Sequence, residues 1–85
     1  MSGWKLVMDE DAFRFFISCT ARQRRVLLGA FSQLTENPDR TGDYGVRDST
    51  GRELAVVARN PFLITYWLDD SVNEIRGVDI ENVRF

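Results

Sequence analysis

The side chains in this chain that can do chemistry are arginines set among aromatics. Arg47, Arg52, Arg59, Arg76 and Arg84 fall in the C-terminal half, interleaved with Tyr44, Tyr66 and Trp67. Guanidinium groups hold phosphates and carboxylates, and tyrosine or tryptophan rings stack on bases or anchor a partner protein. The chain has no histidine and one cysteine, Cys19. It therefore has no Cys/His metal set and no internal disulfide, and no metal or other cofactor is expected. Cys19 lies beside apolar residues between two helix-like segments and reads as a small buried hydrophobe rather than a reactive thiol.

The elements that position these residues belong to a short chain. Its 85 residues suit a single domain spanning 1–85, which on folding hides roughly 60–70% of the surface of the unfolded chain. No apolar run approaches the ~18 residues of a membrane span, and the start, Met1-Ser2-Gly3-Trp4-Lys5, has no export pattern. A cytoplasmic protein with no membrane association is the expectation. Net charge is −2, whereas proteins that hold RNA or DNA by its phosphates gain affinity from a positive surface. A dedicated nucleic-acid binder is disfavoured on that balance.

A short strand, Trp4-Lys5-Leu6-Val7-Met8, comes first. The first helix is predicted to start at Asp9, a good N-cap, with Glu10 and Asp11 in the first turn and Met8 stapled to Phe13. Phe13, Phe16 and Ile17 share helical spacing, and Phe15 widens that stripe beyond what one neighbour needs. Phe15 is accordingly a candidate partner-binding residue. The second helix opens with the capping box Thr20-Ala21-Arg22-Gln23. Leu27, Ala30, Phe31 and Leu34 form its buried face, with Arg22, Arg25, Gln33 and Glu36 outward. Pro38 ends it, and the short Thr20 junction predicts an antiparallel helical hairpin.

Strand-like segments fill the rest. Asp39-Arg40-Thr41-Gly42 leads to Tyr44-Gly45-Val46-Arg47-Asp48, and Ser49-Thr50-Gly51 reads as a hairpin turn. A strand from Arg52 to Arg59 stops at Asn60-Pro61. Phe62-Leu63-Ile64-Thr65-Tyr66-Trp67-Leu68 is apolar on both faces, as a central strand is. After the turn Asp69-Asp70-Ser71 the last strand runs from about Glu74 to Ile80, with Gly77 marking a bulge. Tyr66 and Trp67 are neighbours and must point to opposite faces, so one of them faces the open side of the sheet. Trp67 is the second candidate for partner binding.

In this order the segments resemble the RelE/ParE superfamily of toxins from bacterial type II toxin–antitoxin systems. The resemblance rests on Trp4-Lys5, Leu34-Thr35-Glu36-Asn37-Pro38 and Gly51-Arg52-Glu53-Leu54. It also rests on Ile64-Thr65-Tyr66-Trp67-Leu68-Asp69-Asp70 and Glu74-Ile75-Arg76-Gly77-Val78-Asp79-Ile80. It implies an α+β fold: an N-terminal strand, a two-helix antiparallel hairpin, then a curved, mainly antiparallel sheet. It also implies a cognate antitoxin protein as partner. One branch of the superfamily cleaves mRNA on the ribosome, another poisons DNA gyrase, and further members have no established target.

Cleaving RNA through its own 2′-hydroxyl needs a group to activate that hydroxyl, cations for the phosphorane and a proton donor for the leaving oxygen. The resemblance implies basic residues on the middle strands, an arginine near the last strand and a terminal tyrosine or histidine. The middle-strand positions fall near Leu54, Val56 and Leu63, all apolar, and the chain closes at Phe85. Arg84 matches the late arginine. Arg47, Arg52, Arg59, Arg84 and Tyr66, with Tyr44, remain the candidate catalytic residues for a divergent endonuclease. The reading favoured by the sequence is a toxin-like protein that binds its target, gyrase-directed or otherwise. A ribosome-dependent mRNA endonuclease and a non-toxic binding module of the same fold are the alternatives.

Overall fold

The computed structural model describes residues 3–38 and 42–83. The elements are β1 (Lys5–Met8), α1 (Glu10–Ser18), α2 (Ala21–Glu36), β2 (Tyr44–Arg47), β3 (Glu53–Arg59), β4 (Phe62–Asp69) and β5 (Glu74–Asn82). The β-α-α-β-β-β-β order and the α+β class are as expected. The strands form one five-stranded sheet in the order β1-β5-β4-β3-β2. β1 runs parallel to β5 and the other pairs are antiparallel. The strand with apolar residues on both faces, β4, is central.

Each boundary has a local cause. Asp9 and Thr20 stand at the helix N-caps in extended conformation. Thr20 closes a full capping box: the Gln23 amide donates to its Oγ1 at 3.1 Å, and its own amide donates to Gln23 Oε1 at 2.8 Å. Asp9 makes no side-chain cap bond, so the acidic first turn alone favours the start of α1. The β2–β3 turn is built on Asp48, whose Oδ1 accepts from the Thr50 amide, the Thr50 hydroxyl and the Arg52 amide at 2.9, 2.6 and 3.0 Å. Gly51, at φ 86°, supplies the left-handed turn that a side chain would oppose. The bulge falls where β4 passes from Thr65 to Tyr66. Thr65 faces Asp79 and Tyr66 faces Gly77, leaving Val78 as the extra residue beside the predicted glycine.

Both helices pack on one face of the sheet. The core joins Ala12, Leu27, Ala30, Phe31 and Leu34 to Val57, Phe62, Ile64, Tyr66, Ile75 and Ile80. The buried face of α2 is the one its spacing predicts. That of α1 is not, and the expected stripe needs correction. Ala12 is fully buried, while Phe13 and Ile17 are 50% and 56% exposed. The smallest apolar side chain lets the helix backbone approach β5 closely, and this sets the rotation of α1. Phe15 and Phe16 then flank Ala12: Phe15 meets Phe62 edge-on at 6.0 Å, and Phe16 lies 6.1 Å from Phe31. Cys19 is buried, as expected.

Candidate functional site

Strand alternation assigns every candidate residue to a face. Register pairs Ala55 with Tyr66, Val57 with Ile64 and Ile64 with Ile80, all facing the helices. The opposite face therefore carries the even positions of β3 and the odd positions of β4. Leu54, Val56 and Leu63 all lie there, flanked by Tyr44 and Val46 of β2. No described element packs on this face; Val56 is nevertheless only 4% exposed among its neighbours, Leu54 and Leu63 are half-buried, and Thr65 stands between Val56 and Asp79.

Trp67 is on the open face and half-buried; Tyr66, its neighbour, is 1% exposed beneath the helices. The guanidinium of Arg52 lies over the Trp67 ring, with Cζ 4.1 Å from the ring centre, a contact worth about 0.5–1 kcal/mol at an exposed site. Arg76 stands directly across from Trp67 on β5. Its Nη2 pairs with Glu74 at 2.9 Å, and its Nε is buried without a hydrogen-bond partner. This cation–tryptophan–cation arrangement was not foreseen from the sequence, although its members were singled out separately.

The remaining candidates do not join it. Arg47 pairs in register with Glu53, on the helix-facing side, and reaches that carboxylate at 3.4 Å and the Gly51 carbonyl at 3.2 Å. Arg59 is tied to α2: its Nε donates to Gln33 Oε1 at 3.0 Å and its Nη1 to the Ala58 carbonyl at 2.7 Å. Arg52, just before β3, and Arg59, at its far end, are about 23 Å apart at ~3.3 Å per residue. Tyr44 is exposed on the open face. Burial, and secondarily the Asp43 carboxylate, raise the Tyr66 hydroxyl above its ordinary pKa, so Tyr66 stays protonated at neutral pH. Phe15, the partner-binding candidate on α1, is half-buried in the core; the exposed apolar residues of that helix are Phe13 and Ile17. Arg84 and Phe85 lie outside the described residues, as do Asp39, Arg40 and Thr41.

A second feature, with no signal in the sequence, is a groove of about 850 Å³ beside β2, lined by Pro38, Gly42, Gly45, Arg47, Ala55 and Tyr66 among others. Gly42 approaches the opposite wall closely. A Cβ there would sit 2.9 Å from Tyr66 Oη and 3.1 Å from Ala55 Cβ. Asp43 holds the adjoining chain, its Oδ2 accepting from the Ala58 amide at 2.7 Å. The groove is thus a product of close approach by small residues distant in sequence.

Among the described residues no cluster of His, Cys, Asp and Glu can hold a metal, and no helix is long and apolar enough to cross a membrane.

This layering, with an N-terminal strand completing a sheet beneath two helices, is a RelE-like fold, as the sequence resemblance implies. Solved structures that share it include a chain of the toxin–antitoxin complex RelBE2 from Mycobacterium tuberculosis. The match has a TM-score of 0.77 and 18% identity and covers 94% of this chain and 98% of that one. A chain of the archaeal RelE–RelB complex from Pyrococcus horikoshii OT3 matches with a TM-score of 0.72 and 11% identity over 94% of each chain. No family model and no curated protein matches the sequence. At these identities it is the fold that is shared.

Proposed function

We propose that this chain is the toxin-type component of a toxin–antitoxin pair, acting by binding a macromolecule and neutralised by a cognate antitoxin. Its fold, common to chains of two RelB–RelE complexes over nearly its whole length, supports the pairing. The observation that favours binding over RNA cleavage is the open face. Leu54, Val56 and Leu63 occupy it together, where phosphorane stabilisation would need cations within hydrogen-bond reach. Arg47, Arg52 and Arg59 are divided between two faces and two ends of β3, so they cannot converge on one phosphate. A gyrase-type target fits this reading, and either family target would place the protein in the cytoplasm.

The experiment is inducible expression with and without the adjacent small open reading frame, scored for growth and for mRNA integrity. Arrest that the neighbouring product relieves, with mRNA intact, is the expected result. Ribosome-dependent mRNA fragments would instead favour the endonuclease alternative. Absence of arrest would leave the non-toxic module.

A further inference from the structure

The open face also carries a charge pattern, and that pattern selects among macromolecules. At one end Arg76 is neutralised by Glu74, and Arg52 is spread over Trp67. At the other, Asp79 stands across from Thr65 and Glu81 across from Leu63. Both carboxylates are exposed, and neither has an ion-pair partner among the described residues. Between the two ends lie Val46, Leu54, Leu63 and the free parts of Tyr44 and Trp67, set around Thr65 and around Val56, which is only 4% exposed and forms the floor. A largely apolar surface of this kind, exposed at Tyr44 and Val46 and half-exposed at Leu54, Leu63 and Trp67, marks an interaction surface. Unpaired carboxylates along its margin repel a phosphate backbone and attract lysine or arginine.

We infer that this face docks a protein segment that sets apolar side chains on Val46, Leu54, Leu63 and Trp67 and basic side chains against Asp79 and Glu81. The inference rests on the proposed function, in that the segment belongs to the macromolecule on which the chain acts. It goes further by making that macromolecule a protein and by giving its chemistry.

The test uses the full chain, isotope-labelled, and three probes: a short peptide alternating leucine and lysine, its glutamate-for-lysine analogue, and a short single-stranded RNA. The lysine peptide is expected to shift amide resonances of β3 and β4 around Leu54, Val56, Leu63 and Trp67. The Asp79→Lys/Glu81→Lys variant, altered only at exposed positions, should bind it about tenfold more weakly with an unchanged melting temperature. Leu63→Asp should abolish binding, whereas Phe13→Asp on the helix layer should not alter it. The idea is overturned by equal binding of the glutamate analogue, by shifts confined to the helices, by no binding, or by tighter RNA binding at the same face. In cells, the charge-reversed variant should lose growth arrest; retained arrest would also overturn the inference. If the wild-type chain causes no arrest, the proposed function fails, and the peptide titration still decides the docking.

Discussion

Substituting Gly42 by alanine tests whether the chain entering β2 is pressed onto Tyr66, the contact that walls the groove. The new Cβ would meet Tyr66 Oη at 2.9 Å and Ala55 Cβ at 3.1 Å, both inside normal van der Waals separation. Neither neighbour gives way freely: Tyr66 is buried in the core and Ala55 is held in the β3–β4 ladder. Overpacking of this kind costs about 1–3 kcal/mol. Against it, alanine restricts the unfolded chain and returns about 0.4–1 kcal/mol. The net expectation for Gly42→Ala is a loss of about 1 kcal/mol, or about 4–8 °C in melting temperature for a domain of this size.

The decisive comparison is the same substitution in a Tyr66→Phe background. Removing Oη deletes the 2.9 Å contact; the ring carbon behind it, Cζ, lies at an ordinary 3.8 Å. Only the Ala55 contact then remains, so alanine at position 42 should become close to neutral. The coupling, about 1 kcal/mol, is measurable by urea denaturation of the wild type, both single variants and the double variant. An equal cost of Gly42→Ala in both backgrounds would refute the contact and with it the shape of the groove. Tyr66→Phe has a second use. Tyr66 sits in the core beneath the helices, so the variant should leave growth arrest intact.

Thr20→Ala removes one acceptor of the capping box and should cost about 1 kcal/mol, whereas Thr20→Ser should be nearly silent; thermal melts of the two variants check this. Asp48 gives a pH signature. Its carboxyl is held below the ordinary range, chiefly by the Thr50 hydroxyl and also by the Thr50 and Arg52 amides. A depressed folded-state pKa contributes stability above the ordinary carboxylate value, and this is lost as pH falls through the depressed one. Stability of the wild type should therefore decline more steeply with acidification in that window than stability of Asp48→Asn, and matching slopes would refute the turn's dependence on the carboxylate.

What the sequence disclosed followed from the length and clarity of each pattern. α2 spans 16 residues with a regular apolar repeat, and its buried face was readable to the residue. α1 has only nine residues, with apolar side chains at positions 12, 13, 15, 16 and 17. So short a helix with so wide an apolar arc has no preferred direction of its own. The sheet chose it by admitting the smallest side chain, Ala12, and this left Phe13 and Ile17 outside. The groove beside β2 had no sequence signal because it depends on Gly42, Gly45 and Ala55 meeting across the fold, and a small residue announces nothing about its distant neighbours.

The arginines show why residue type alone could not locate a site. On β3 the even positions share one face and the odd positions the other, so a cation's meaning depends on parity and on hairpin register. The Asp48–Gly51 turn sets that register by placing Arg47 opposite Glu53, which sends Arg47 to the helix-facing side and leaves Arg52 on the open one. A phosphate-cleaving site on the open face would need cations at even positions of β3. Those positions hold Leu54, Val56 and Ala58, with Arg52 only at the margin and its charge already lying on Trp67. The same parity that excludes a cationic cluster makes this face mainly apolar, with Thr65 as the polar residue at its centre. The pattern that argues against RNA cleavage is therefore the one that argues for a protein partner.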